Sequence, residues 1–333
     1  MLASQQPSLL THVKPLRNDF GPVVNDVTSF HYPIDIPPCR PTNNSVDDDQ
    51  IKLFLVIISA PNYFDKREAI RQTWLTQLIQ STSNNKVKLV GHGFIVGLTN
   101  NNVNVQKRLQ EESAKHGDIL QVDMMDTYAD LSRKVAAALN WINNKCSTPT
   151  VMMDFVLKVD DDVYVNTRNL MTTIDNLNIS SSSQQLTVYG TSADGIVRRE
   201  GKFKVNPDMW PWSNYPPYSM GAFLLMSGRS IEPLLAAAQT TPYFPFEDTY
   251  LGLCADKAAV KMRFSPRALA GWVDRRPGPC HVYNSISWLT QSVDVIHKSH
   301  LATEEFYKGV TVCTQMLETA IDPNKTTRKF VFT

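Results

Sequence analysis

Three consecutive carboxylates, Asp160, Asp161 and Asp162, follow the apolar run Phe155-Val156-Leu157-Lys158-Val159 and precede Val163-Tyr164-Val165-Asn166. A strand of that kind delivers mutually repelling acids into a loop inside the fold, where they need a compensating cation or water. Oxygen ligands at that density suit a hard divalent ion, Mn²⁺ or Mg²⁺, with positions left open for a diphosphate. An acidic turn can also be merely solvated, and Asp47, Asp48 and Asp49 form a second triplet of no evident use. The apolar flanks set Asp160 to Asp162 apart, because function in open α/β sheets gathers at the carboxyl ends of strands.

A second acidic pair, Glu247-Asp248, stands between the aromatic turn TPYFPF and a helical stretch from Tyr250 to Ala259. It can cap that helix and oppose its dipole. Arg67 and Arg71 lie four apart on the helix predicted after the first strand, so both project from one face towards its N-terminal loop, where an anionic nucleotide could sit. The plainer reading pairs them with Asp65 or Glu68 on a solvated face. Asp126 before a helix reads first as a cap.

The elements that must position these groups alternate along the chain. Residues 1 to 50 read as an irregular arm rich in Pro, Asn and Asp. From Ile51 the run IKLFLVIIS reads as a strand buried on both faces, and Asp65 to Ile79 as a helix capped by Asp65. Val87 to Leu98 reads as strand, Val103 to His116 as helix, Ile119 to Val122 as strand, Leu131 to Asn144 as helix and Phe155 to Val159 as strand. Apolar runs recur at Leu186 to Tyr189 and Ala222 to Met226. The alternation predicts one α/β domain over residues 51 to 315, with a tail from 316 to 333.

Composition narrows the classes. The chain has 333 residues, 33 Lys+Arg against 32 Asp+Glu, and 42% hydrophobic residues. Intrinsic disorder is excluded by that apolar fraction, and a net charge of +1 disfavours a general nucleic-acid binder. The five cysteines, Cys39, Cys146, Cys254, Cys280 and Cys313, show no zinc-ligand spacing and fit either buried thiols or one or two long-range disulfides with an odd thiol. No segment has the apolar length of a membrane span, and the N-terminus lacks the basic and apolar regions of a signal peptide. Asn43, Asn178 and Asn324 head sequons that matter only if the chain is secretory.

FVLKVDDDVYVN resembles the D-x-D region of the β-1,3-glycosyltransferases of glycosyltransferase family 31, which include β-1,3-galactosyl- and N-acetylglucosaminyltransferases and the Fringe enzymes. SAPNYFDKREAIRQTW, DTYADLSRKVAAALNWINNKC, YPPYSMG and FEDTYLGLC resemble further blocks of that family in the same order, and FHYPIDIPPC echoes its short cysteine motif. The departures are Lys66 for an arginine, Asp130 for an asparagine, Ser132 for a threonine, and Ala222-Phe223-Leu224 where the family continues with a second glycine and a tyrosine.

The resemblance implies a glycosyltransferase-A-type, Rossmann-like mixed sheet flanked by helices. It implies an inverting, metal-dependent hexosyltransferase that moves galactose or N-acetylglucosamine from a UDP-sugar to the 3-hydroxyl of an acceptor glycan on protein or lipid. Arg67, Arg71, Asp126, Lys134, Asp160 and Asp161 are then expected to hold the donor. Asp162 and Asp160 would bind Mn²⁺ or Mg²⁺, with His281 a third ligand in competition with His297 or else a packed or surface histidine. Asp248, with Glu247 in reserve, would take the acceptor proton. Tyr215, Tyr218, Gly221 and Trp210 would meet the acceptor, although such an aromatic stretch also serves as core packing. Trp74 reads as core. The alternative is a catalytically silent glycan-binding or chaperone-like relative. Relatives of this kind are Golgi membrane proteins with lumenal catalytic domains, which implies a truncated N-terminus or a secreted form here, and lumenal disulfides at Cys39, Cys146 and Cys254.

Overall fold

The computed structural model describes residues 8–39, 50–82, 86–147, 153–179 and 185–314. Asp47 to Asp49, Asn43, Asn324 and the expected tail from 316 lie outside them. In chain order, β1 (Ile51–Ile58) leads to α1 (Phe64–Ile70), a π turn over Arg71–Leu75 and α2 (Thr76–Thr82). Then come β2 (Val87–Leu98), α3 (Val103–His116), β3 (Ile119–Met125), α4 (Leu131–Cys146), β4 (Phe155–Asp160), β5 (Val163–Val165), α5 (Thr167–Ile179) and β6 (Thr187–Gly190). The rest comprises β7 (Phe223–Ser227), α6 (Ile231–Thr240), α7 (Glu247–Lys257), β8 (Lys261–Phe264), β9 (Trp272–Val273), α8 (Pro279–Asn284), β10 (Ser287–Thr290) and α9 (Val293–Tyr307).

Seven strands form one mixed sheet in the order β3-β2-β1-β4-β7-β6-β8. The first four are parallel. β7 then runs antiparallel to both β4 and β6, and β8 runs parallel to β6. β1 lies between β2 and β4 and is buried on both faces, which is why its sequence does not alternate. Helices cover the two faces: Trp141, Leu234 and Leu251 pack with Val56 and Leu120 on one side, while Trp74, Leu170 and Ile296 pack with Leu55 and Leu157 on the other. The mixed, helix-flanked sheet is the architecture expected of a glycosyltransferase-A-type domain. A three-stranded sheet, β5-β10-β9, clips residues Val163–Val165, directly after the acidic triplet, against the C-terminal part of the chain.

Several local expectations need correction. The helix after β1 begins at Phe64, and Asp65 lies in its first turn; Tyr63 precedes it without a side-chain cap. Thr73 departs from helical dihedrals inside the π turn, where its hydroxyl donates to the Ala69 carbonyl at 2.6 Å and bends the helix. The helix expected from Tyr250 starts at Glu247, so both acids belong to its first turn.

Cys39 pairs with Cys146 and Cys280 with Cys313, leaving Cys254 a buried free thiol and not a disulfide partner. The irregular arm is docked on the domain. The Trp141 indole N–H donates to Asp35 at 2.6 Å, and the Asn25 amide donates to the Ala238 carbonyl at 2.8 Å. Among the described residues no helix is long and apolar enough to cross a membrane.

Candidate active site

β4 ends the apolar core and releases the acidic triplet between β1 and β7, and its three carboxylates meet different fates. Asp160 stays partly exposed, at 35%, and accepts a 2.9 Å bond from the Lys158 ammonium. Asp161 turns inward: one oxygen accepts from the Ser59 hydroxyl at 2.7 Å and the other from the Lys66 ammonium at 2.7 Å. Asp162 is held by its carbonyl, which accepts both the backbone N–H and the hydroxyl of Thr290 on β10. Burial, with the neighbouring Asp160 charge behind it, lifts the Asp162 carboxyl to about 6.

Lys158 is the residue that joins the triplet to the second acidic pair. It is only 2% exposed, and its ammonium also donates to the Gly221 carbonyl at 2.7 Å and to the Glu247 carboxylate. Burial alone would push that ammonium down, but the charges of Asp160 and Glu247 outweigh it and hold it above the ordinary lysine range. A Cβ at position 221 would meet the Glu247 carboxylate, so a side chain there would push that carboxylate from its present place.

Asp248, on the adjacent position of α7, has one oxygen on the Thr249 backbone N–H at 2.7 Å, and burial pushes its carboxyl above the usual aspartate range. These groups open on a cleft of about 520 Å³ whose wall includes Asp160, Tyr215, Tyr218, Gly221, Glu247 and Asp248. Tyr215 and Tyr218 meet edge to face at 5.9 Å, and the buried Tyr215 hydroxyl has no hydrogen-bond partner among the described residues. Trp210 packs behind Tyr215 at 5.4 Å and its indole N–H is spent on the Asn214 carbonyl.

On the other side of β1, Asp126 lines a smaller cleft of about 350 Å³ with Ala60, Pro61, Asn62, Leu98 and Thr99, at the carboxyl ends of β1 and β2. Its carboxylate accepts from the Gly97 N–H at 2.7 Å and from the buried Lys134 ammonium, which also donates to the Ser59 carbonyl. Arg67 is fully buried; it pairs with Glu112 at 2.7 Å and donates to the carbonyls of Ala60 and Pro61. Arg71 pairs with Glu112 at 2.7 Å and Asp118 at 2.8 Å. Both guanidiniums are therefore spent inside the protein, on partners other than the Asp65 or Glu68 surface pairing, apart from a long 3.7 Å approach of Arg71 to Glu68.

His281 packs edge-on against Trp288, with its Nε2 buried and without a hydrogen-bond partner among the described residues, and burial pushes its imidazole below the ordinary histidine range. Among the described residues no three His, Cys, Asp or Glu side chains are grouped to hold a metal ion, so His281 does not complete a set with Asp160 and Asp162. The oxygen donors of Asp160 and Asp162, crowded and incompletely compensated, still fit a hard cation whose remaining ligands come from a bound molecule.

Reading by motif missed Lys158, Lys66, Ser59 and Tyr128, the last of which lines the larger cleft. A lysine inside FVLKV was the available signal, since a buried ammonium demands partners.

Carboxylates at strand ends, two clefts along one sheet edge and an aromatic wall mark the candidate site. The sequence model of the family described as Galactosyltransferase matches residues 65–266, and the chain belongs to that family. A lactosylceramide 1,3-N-acetyl-beta-D-glucosaminyltransferase of Xenopus tropicalis is 29% identical over 277 residues, covering 78% of this chain and 71% of the relative. A human acetylgalactosaminyl-O-glycosyl-glycoprotein beta-1,3-N-acetylglucosaminyltransferase is 32% identical over 62% of this chain and 53% of its own length. Human beta-1,3-galactosyltransferase 5 is 27% identical over 63% of this chain and 64% of its own. Among solved structures, mouse xyloside xylosyltransferase 1 overlaps at a TM-score of 0.33 and 10% identity, covering 72% and 98% of the two chains. The protein is a glycosyltransferase, a hexosyltransferase by family, with a nucleotide-sugar donor and a glycan acceptor.

Proposed function

We propose that this chain transfers galactose or N-acetylglucosamine from a UDP-sugar to the 3-hydroxyl of an acceptor glycan, with inversion at the anomeric carbon. The observation that carries this reading is the larger cleft, where Asp160 from one sequence block, Gly221 from another and Asp248 from a third share one wall. Asp248 accepts the proton of the acceptor hydroxyl as that oxygen attacks in line, its carboxylate made more basic by burial.

Tyr215 and Tyr218 offer apolar ring surface to the acceptor sugar. Asp126 and Lys134 shape the smaller cleft for the nucleoside. Arg67 and Asp161 act from behind, by fixing the Ser59-Ala60-Pro61 loop that forms part of its wall. Mn²⁺ or Mg²⁺ on Asp162 and Asp160, when bound, offsets the charge that gathers on the leaving diphosphate, so no protein acid is needed there.

Acceptor class remains open between lipid and protein glycans: by name, the Xenopus relative acts on lactosylceramide and the human one on an O-linked glycoprotein glycan. A lumenal, Golgi setting suits the paired cysteines. UDP release from UDP-galactose and UDP-N-acetylglucosamine, with Mn²⁺ and with chelator, tests the reading on glycolipid and O-glycan acceptors. Release that requires metal and rises with acceptor is expected. No release from either donor would overturn it.

A further inference from the structure

We propose that Lys158 is a positioning residue, an internal cation that ties the strand bearing the acidic triplet to the helix bearing the proton acceptor and so reserves that task for Asp248. The inference rests on the role given to Asp248 above.

Lys158 sits in the middle of the sheet, in register with Val56 on β1 and Leu224 on β7, where an alkyl stem packs well and an ammonium does not. An ammonium has three protons to donate. All three are committed, to Asp160, to the Gly221 carbonyl and to Glu247, which belong to three separate segments of the chain.

The consequence for Glu247 is confinement. One of its oxygens is bound to Lys158, and its carboxylate lies against Gly221, where an added Cβ would meet it. A group pinned on both sides cannot swing towards an acceptor. Asp248 accepts through Oδ1 from the backbone N–H of Thr249 and, at 3.5 Å, from its hydroxyl, and lines the cleft with Tyr218. Adjacent residues on a helix point about 100° apart, so the bond that holds Glu247 to Lys158 leaves Asp248, the other carboxylate of the same cleft wall, outside the tie.

The tie also matters for charge. Asp160 and Glu247 converge on one cation, and without it two carboxylates would approach each other in a largely buried site with nothing between them. The first turn of α7 would then move away from β4, and the distance between the donor side and the proton acceptor would be lost.

Hydrogen exchange and kinetics on the whole chain test this. In Lys158→Met, peptides spanning 219–224 and 246–252 should exchange about tenfold faster or more than in the wild type, while β1 and β2 are unchanged. The kcat should fall about a hundredfold, with donor KM altered less than about threefold, because geometry at the reacting atoms is lost and not donor binding.

Glu247→Gln, a milder variant that keeps Lys158 paired with Asp160, covers the case in which Lys158→Met fails to fold. It should speed exchange at 246–252 and lower kcat only about tenfold, well short of the loss from Asp248→Asn. Unchanged exchange in these peptides overturns the tie, and a Glu247→Gln loss equal to that of Asp248→Asn overturns the division of labour. Failure of the transferase reading shows elsewhere, as a wild-type protein that releases no UDP, and leaves the exchange result to decide the tie.

Discussion

Two clusters of buried charge in this molecule are balanced differently. Between α1 and α3, two guanidiniums meet two carboxylates: Arg67 with Glu112, and Arg71 with Glu112 and Asp118. Around the larger cleft, Asp160, Asp161, Asp162, Glu247 and Asp248 form ion pairs with Lys158 and Lys66 alone among the described residues. The first cluster is neutral and fully bonded, so it is scaffold. The second holds more carboxylates than cations, and burial first of all, with the Asp160 charge adding to it, raises its Asp162 and Asp248 carboxyls; a cation or a proton from outside belongs at such a place.

The comparison can be broken by neutralising one member of each cluster. The largest effects should fall on activity at the surplus cluster. Asp162→Asn should abolish metal-dependent transfer, and Asp248→Asn should lower kcat by about 10²-fold or more. Wild-type turnover in the former, or a loss below about tenfold in the latter, removes that residue from its role. Both variants should melt at or above the wild-type temperature in the presence of chelator, since each removes a crowded, buried charge.

Arg67→Met should do the opposite, destabilising the fold by about 3–5 kcal/mol because buried Glu112 loses one of its two guanidiniums and the carbonyls of Ala60 and Pro61 lose their donor. Urea denaturation measures this, and an unchanged midpoint would mean that Glu112 finds water or another cation.

A smaller effect is expected in the pH profile. Burial raises the folded-state carboxyl of Asp248, and its active form is the carboxylate. Activity should therefore be full at high pH and fall as pH drops, with the acidic limb of kcat above the normal aspartate range. A limb at or below that range would point to another base.

The smallest contrast is Arg71→Lys. Its two carboxylate partners require the planar fork of a guanidinium, so the variant should cost about 1–2 kcal/mol of stability and leave kcat near wild type.

Much of the fold was legible where burial is local. β1 and β4 read as continuous apolar runs because both their faces are covered, and β2 and α3 were placed by period alone. The acidic triplet was legible from its flanks. What sequence could not show was which acid faces which way. Asp161 is turned inward by Ser59, and Arg67 is claimed by Glu112 on another helix; neither partner lies near in sequence.

The Lys158–Glu247 pair spans 89 positions, so only the antiparallel placement of β7 beside β4, with Gly221 just before it, brings the two together. Two long-range disulfides with one odd thiol were legible in the cysteine spacing, but not that Cys254 is the odd one. Cys254 sits inside α7 with its thiol pushed up to about 12 by burial, while Cys280 finds Cys313 through the packing of α8 against the chain beyond α9.

The Cys39–Cys146 bond reaches further than its own neighbourhood. It closes a loop across 107 positions and fastens the arm to the last residue of α4, the helix whose first turns carry Lys134. Forbidding the unfolded chain to separate those ends is worth about 4–5 kcal/mol in the loop-entropy picture. Chain made where thiols stay reduced therefore forfeits that restraint at one end of α4, and the lost rigidity arrives at the smaller cleft through the Lys134–Asp126 contact at the other. On the proposed reading, the redox state of the compartment then bears on the donor side.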